Sequence, residues 1–164
     1  MKGFPKFLVV LGRIFISLLF IIIGLYLIIH WREAERTLTA GLNLWHSHTL
    51  PTGKINHFFS GLLLWVPFLL IIGVIFSLLG GLLLFFGGKV RFAAFLLILV
   101  VIPATLFYHP FWFVEGDKLM QTSAFFKDIA ILGGLLYVLA VGGKKKQPVK
   151  APAPPSAPPP HTHK

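Results

Sequence analysis

The sequence predicts an all-α integral membrane protein, and three observations support this prediction. Of the 164 residues, 56% are hydrophobic and only 12% are charged, whereas about 25% are charged in soluble domains. Four long apolar segments separate the charged residues, each near the roughly 20 residues that a helix needs to cross a bilayer. The chain contains no cysteine, which excludes disulfides, thiolate-bound metals and iron–sulfur centres.

The apolar segments are predicted to form an antiparallel four-helix bundle within one domain, residues 1–143. Pro67 suits the first turn of the second helix, so residues 55–66 are expected to form an interfacial helix or a kinked extension. The third helix is expected to stop before Pro110, because proline disfavours a helical residue before it. The predicted spans are residues 7–29, 67–88, 92–108 and 124–143.

The basic residues are divided unequally between the two sides of this bundle. The side with both termini carries ten Lys and Arg and no acidic residue, whereas the other side carries five basic and five acidic residues. Cytoplasmic loops hold the positive excess, so both termini are predicted to be cytoplasmic. Basic residues beside membrane spans attract anionic headgroups, which makes the bilayer, and not nucleic acid, the predicted partner.

The segment after the last span, residues 144–164, has seven prolines in 21 residues. This composition cannot bury a core. We expect an extended, disordered cytoplasmic tail.

Small residues recur at helical spacing in several spans. They allow helix backbones to approach closely where lipid supplies no hydrophobic driving force, although glycine is in general frequent in membrane helices. The residues predicted to pack helices are Gly24, Gly73, Gly80, Gly81, Ala130, Gly133 and Gly134.

Three polar residues are predicted to form a polar face inside the membrane. Arg13 and Ser17 are one turn apart on the first span, in line with Phe20 and Gly24, and Ser77 belongs to the small-residue stripe of the second span. A charged residue within a span is a functional candidate that faces the protein interior. Snorkelling to the headgroups explains Arg13 equally well.

The predicted outer side holds five of the seven histidines and all four tryptophans. Tryptophan is expected at a membrane interface. On an extended loop His46 and His48 would point to one side and could ligate a metal. No carboxylate stands at ligand spacing, so exposed loop histidines are favoured and no metal site is predicted. The sequence also lacks phosphate-loop, dinucleotide, zinc-protease and nucleophile-elbow motifs.

Two segments carry a family resemblance. Residues 104–112 read ATLFYHPFW at the end of the third span, and residues 126–135 read FKDIAILGGL at the start of the fourth. Together with Gly12-Arg13, LLGGL at 78–82 and RFAA at 91–94, they resemble the DoxX family of small four-span bacterial membrane proteins. The chain departs from that family at Ser77, where a glutamate is frequent, and at Asp128, which replaces an asparagine.

The resemblance implies a bacterial inner-membrane protein that serves as a subunit or partner in quinone-linked, sulfur or oxidative-stress redox chemistry. A quinone pocket is expected where the third span ends and the fourth begins. Its candidate residues are His109, Trp112, Lys127 and Asp128. No redox-cofactor motif is present, so a partner protein would supply the electrons. No tightly bound cofactor is expected, and a quinone is the candidate ligand. The alternative is a non-enzymatic scaffold or small-molecule carrier, which would require a homo-oligomer for transport.

Overall fold

The computed structural model describes residues 4–48, 54–113, 116 and 118–142. Within these ranges the chain is helical and has no strand, which confirms the all-α class. The predicted tail lies outside the described residues. The helices are α1 (Phe4–Ile29), α2 (Trp31–His48), α3 (Lys54–Leu64), α4 (Val66–Phe86), α5 (Val90–Tyr108) and α6 (Lys118–Val141).

Four of these helices are long and apolar enough to cross a membrane, which indicates a multi-pass membrane protein. The candidate spans are Phe7–Ile29, Val66–Phe86, Val90–Tyr108 and Lys118–Val141. The last helix begins six residues before the predicted start at residue 124. Its additional residues are mostly polar or exposed, so they extend the helix beyond its most apolar part.

The segment between the first two spans differs from the prediction in its first half. The expected extended loop around His46 and His48 is instead the end of α2. Residues 54–64 form a separate helix, α3, which is one of the two alternatives expected for residues 55–66. Apolar residues on α2 recur every three or four positions, so one face packs against the neighbouring helices while most of the charged residues stay exposed. The buried residues of α2 are Ala34, Leu38, Gly41 and Leu42.

The backbone of α2 lies very close to that of α5 at Gly41. A Cβ atom there would collide with the carbonyl group of Phe107 on α5. Only glycine fits, because the obstructing atoms belong to a backbone and cannot rotate away.

Helices α1 and α4 pack in opposite directions through small and polar residues. The Ser77 hydroxyl donates a hydrogen bond of 2.9 Å to the Phe20 carbonyl oxygen. A Cβ atom on Gly81 would lie 3.2 Å from the Ser17 carbonyl oxygen, and one on Gly24 would lie 2.7 Å from the Leu78 side chain. The two backbones are therefore as close as such residues allow.

The opposite side of α4 packs against α5, and α5 packs against α6. Gly80 faces the Leu97 side chain and the Ala93 carbonyl oxygen. Leu84, Leu97 and Leu135 have no exposed surface and lie in one apolar cluster that also includes Phe20 of α1.

Other small residues predicted to pack helices have open surroundings. A Cβ atom on Gly73 or Gly133 would meet no atom within 4 Å, and Ala130 is exposed. Gly134 meets only the tip of Ile16, at 3.5 Å. The stripe of α6 therefore faces largely away from the other described helices.

These glycines offer a matched test of the α1–α4 contact. The Gly81→Leu variant should lower the free energy of unfolding by about 1–3 kcal/mol, because an added side chain must displace the α1 backbone. Gly133→Leu makes the same chemical change where space is open and should have little effect. Thermal unfolding in detergent, followed by circular dichroism, compares the two. Equal losses would contradict the assigned contact.

Candidate functional site

A cluster of four polar side chains lies between the end of α5 and the beginning of α6. Its members are Thr105, His109, Gln121 and Asp128. The Thr105 hydroxyl lies 3.2 Å from the Asp128 Oδ2 atom, and His109 Nε2 lies 3.8 Å from the same oxygen. The other ring nitrogen, Nδ1, lies 3.1 Å from Gln121 Oε1. We call these four residues the polar cluster.

Helical periodicity explains how these residues meet. Thr105 and His109 are one turn apart at the end of α5, and Gln121 and Asp128 are two turns apart on α6. Because the two helices run in opposite directions, their facing stripes align. The helix ends at Tyr108, with His109 as its C-cap, because Pro110 disfavours a helical residue before it.

The polar cluster combines a buried hydroxyl with two partly exposed side chains, an imidazole and a carboxyl group. Thr105 is only 4% exposed, whereas the side chains of His109 and Asp128 are 30% and 25% exposed. The Thr105 hydroxyl also lies 2.8 Å from the Val101 carbonyl oxygen. One hydroxyl carries a single proton, so at any moment it donates to Val101 or to Asp128.

The four predicted pocket residues do not form one group. His109 and Asp128 meet, as the expected approach of the third and fourth spans requires. Lys127 is exposed and makes no hydrogen bond or ion pair within the described part of the chain. It precedes Asp128 on α6, and consecutive helical residues point about 100° apart. Trp112 contacts α6 through Phe125, with ring centroids 5.8 Å apart.

Sequence reasoning missed two members of the polar cluster. Thr105 stands four residues before His109, and Gln121 stands seven residues before Asp128. These spacings place each missed residue on the same helix face as a predicted one. That signal was present in the sequence.

An aromatic cluster surrounds Trp112 and connects α2 to the end of α5. The Trp45 indole N–H donates a hydrogen bond of 3.0 Å to the Leu106 carbonyl oxygen. In a continuing helix this oxygen would accept from the residue four positions later, but that residue is Pro110, which has no N–H. The Trp45 ring also lies 5.6 Å from Trp112 and 5.1 Å from Phe113, centroid to centroid.

The histidines at the end of α2 have other partners. His46 Nε2 lies 3.1 Å from the Ser60 hydroxyl on α3. The His48 ring stacks on Phe113 at 4.3 Å, and its Nδ1 lies 2.8 Å from the Leu44 carbonyl oxygen. Two residues apart on a helix, they point to different sides. The described residues contain no group of three or more His, Cys, Asp or Glu arranged to hold a metal.

An apolar cavity of about 190 Å³ lies among α1, α2, α4 and α5. Its wall includes Gly73 and Phe76 of α4, Pro103 of α5 and, at the end of α5, Tyr108. The Tyr108 hydroxyl donates to the Ala34 carbonyl oxygen at 3.5 Å, the long limit for such a bond. None of the four predicted pocket residues lines this cavity.

The predicted polar face of α1 divides between two environments. Ser17 has no exposed surface, and its hydroxyl donates to the Ile14 carbonyl oxygen at 2.8 Å. Ser17 and Ser77 therefore lie in the α1–α4 contact. Arg13 is half-buried at the other end of the molecule from the polar cluster, beside Gly87.

The geometry defines a helical multi-pass membrane protein with an apolar cavity and, close by along α5, a polar cluster. Comparison of the chain with protein families, with curated proteins and with solved structures finds no match.

A double-mutant cycle tests whether the polar cluster is an energetic unit. Thr105→Val and Asp128→Ala should each destabilise the protein, with a coupling of about 0.6 and up to about 1.7 kcal/mol, the range for hydrogen bonds between membrane helices. Lys127→Ala is the control and should change stability by less than about 0.5 kcal/mol. Denaturant unfolding in mixed detergent gives these free energies. Simple additivity of the two variants would refute the assigned contact.

Proposed function

We propose that this protein is a DoxX-like subunit of the bacterial inner membrane that binds a quinone for a redox partner. In this proposal the spans form an antiparallel four-helix bundle with both termini cytoplasmic. The observation that carries it is the apolar cavity next to Tyr108. The sequence resemblance to the DoxX family supports the same assignment.

The size and lining of the cavity suit one flat ring with an apolar tail. Its volume of about 190 Å³ is below the roughly 300–1,000 Å³ of pockets that enclose whole drug-sized ligands. A quinone ring would fill it, and the isoprenoid tail would extend along the exposed apolar side chains into the lipid. Leu99 and Ile72, which line the cavity, are 44% and 48% exposed and offer such a path.

Tyr108 supplies the polar contact that orients a ring. Its hydroxyl donates only a long bond to Ala34, so a quinone carbonyl oxygen can replace that acceptor at little cost. This assigns the orienting role to Tyr108 in place of His109, Trp112, Lys127 and Asp128.

The polar cluster lies near this proposed ring site. His109 follows Tyr108 directly, and the His109 and Asp128 side chains are partly exposed. Reduction of a quinone takes up protons as well as electrons, and in this proposal the partly exposed side chains of the polar cluster connect the ring site to water. The electrons must come from a partner protein, because a chain without cysteine or a redox-cofactor motif has no carrier of its own.

The face of α6 that points away from the other described helices is available to that partner. Ala130 and Gly133 form an open strip of small residues, the kind of surface on which membrane helices associate closely. A redox protein with a membrane helix, or a second copy of this chain, would fit there.

Two leucine variants test the quinone proposal. Gly73→Leu should lower the affinity for a short-chain quinone at least about tenfold, because the side chain adds bulk to the cavity wall. Gly133→Leu makes the same change on open surface outside the cavity, and this variant should bind the quinone with the affinity of the wild-type protein. Equilibrium titration in mild detergent gives the affinities, and solvent extraction measures quinone retained during purification.

Tyr108→Phe refines this experiment by removing only the hydroxyl. The loss of one neutral hydrogen bond should weaken binding about threefold to tenfold. A folded wild-type protein that neither retains nor binds quinone would refute the proposal and favour the scaffold or carrier alternative. Equal affinity of the two glycine variants would refute the assigned cavity.

Reporter fusions test the proposed orientation. Green fluorescent protein fused after Lys164 should fluoresce, and alkaline phosphatase fused there should be inactive, since the positive excess keeps that end in the cytoplasm. An impermeant amine reagent applied from outside should leave Lys89 unmodified. Activity of the phosphatase fusion would reverse the orientation.

A further inference from the structure

A second cavity lies at the end of the molecule opposite the polar cluster. It has a volume of about 220 Å³ and is enclosed by α1, the first residue of α5 and the end of α6. Arg13 contributes the charge, and the remaining wall is apolar apart from Tyr137. Val9, Val90, Val138 and Val141 are among the apolar residues that line it. We call it the Arg13 cavity.

The Arg13 guanidinium group lies against the end of α4 and has no acidic partner among the described residues. It packs on the backbone of Gly87, where a Cβ atom would lie 2.8 Å from Nη2 and 2.9 Å from Nη1. Gly87 has φ +72° and ends α4, so this position favours glycine both for its conformation and for the space it leaves. Arg13 Nε is buried without a hydrogen-bond partner, and no carboxylate among the described residues lies within ion-pair distance of Arg13.

The start of α5 adds to the positive potential at this cavity. Val90, its first residue, lines the cavity, and the preceding Lys89 makes no capping hydrogen bond with its side chain. The first N–H groups of a helix carry the positive end of its dipole. Arg91 lies nearby and donates to the Ala140 carbonyl oxygen at 3.3 Å. A negatively charged group is therefore the missing complement.

The position of the cavity indicates which anion this is. The cavity lies where three apolar helices begin or end, at Phe86, Val90 and Val141. Because apolar spans end near the membrane interface, we infer that the cavity lies near the lipid headgroups. Helix α1 continues nine residues beyond Arg13 to Phe4, about 14 Å further, so the cavity lies beside α1 and not at its end. Val9 and Val141 in the wall are 56% and 38% exposed, so an acyl chain can lie against them.

We propose that the Arg13 cavity binds the phosphate group of an anionic phospholipid. The guanidinium group holds the phosphate through paired N–H donors, the start of α5 faces the same charge, and the acyl chains pack on the apolar wall. Basic pockets between membrane helices are a general setting for such headgroups. This proposal is independent of the quinone site and of which side of the membrane the cavity faces.

Native mass spectrometry of the full chain in detergent tests this proposal against equal amounts of phosphatidylglycerol and phosphatidylcholine. We expect one phosphatidylglycerol bound at least about tenfold more tightly than phosphatidylcholine, and loss of this preference in Arg13→Gln. Lys89→Gln removes one charge from the same end without altering the cavity wall and should keep the preference. Arg13→Lys retains charge but not the paired geometry and should be intermediate.

A second variant covers the case in which Arg13→Gln does not fold. Val9→Trp fills the cavity from its lipid-facing side and should reduce binding of phosphatidylglycerol while the protein stays folded. Equal losses in Lys89→Gln and Arg13→Gln would overturn the proposal in favour of general surface charge. Binding of inorganic phosphate by a protein that binds no phosphatidylglycerol would also overturn it and assign the cavity to the free anion. A preference that survives both Arg13→Gln and Val9→Trp would refute the site itself.

Discussion

The close approach of α1 and α4 is the constraint on which the other features depend. Lipid tails are as apolar as leucine, so these helices cannot associate by burying apolar surface from water. Close backbone packing and the Ser77–Phe20 hydrogen bond replace that driving force. The two helices are antiparallel, so Gly24 of α1 contacts Leu78 of α4, and the earlier residue Arg13 contacts the later residue Gly87. One packing register therefore fixes the position of Arg13 and the part of α4 that lines the apolar cavity.

The sequence predicts the membrane helices well because the physical rule is simple. Charged residues are excluded from the hydrocarbon layer, so the gaps between them mark the spans. The same rule is the reason why α2 was missed. Its charged residues indicated a loop, although Ala34, Leu38 and Leu42 are spaced as on one helix face. An amphipathic helix has to be recognised by the position of its apolar residues and not by the number of its charges.

The candidate sites are less predictable because they depend on contacts between distant segments. His109 and Asp128 are expected to approach each other because a short connection joins their helices, and the structure shows this contact. The bond from Trp45 to Leu106 spans 61 residues. The sequence shows that Pro110 leaves a carbonyl oxygen without its helical donor, but it does not show which side chain supplies one. Neither cavity has a sequence signature, since each is the space left by side chains of three or four helices.

Arg13 and Asp128 must each be stabilised by groups in their own surroundings. Arg13 lies near the start of α5 and Asp128 near Thr105, and fifteen residues of helix separate Val90 from Thr105, about 22 Å. That distance excludes a direct ion pair, although the charges have opposite signs. Asp128 has nearby partners in Thr105 and His109. The described chain offers Arg13 no such partner, and in the proposed lipid site the phosphate of a headgroup supplies the complementary charge.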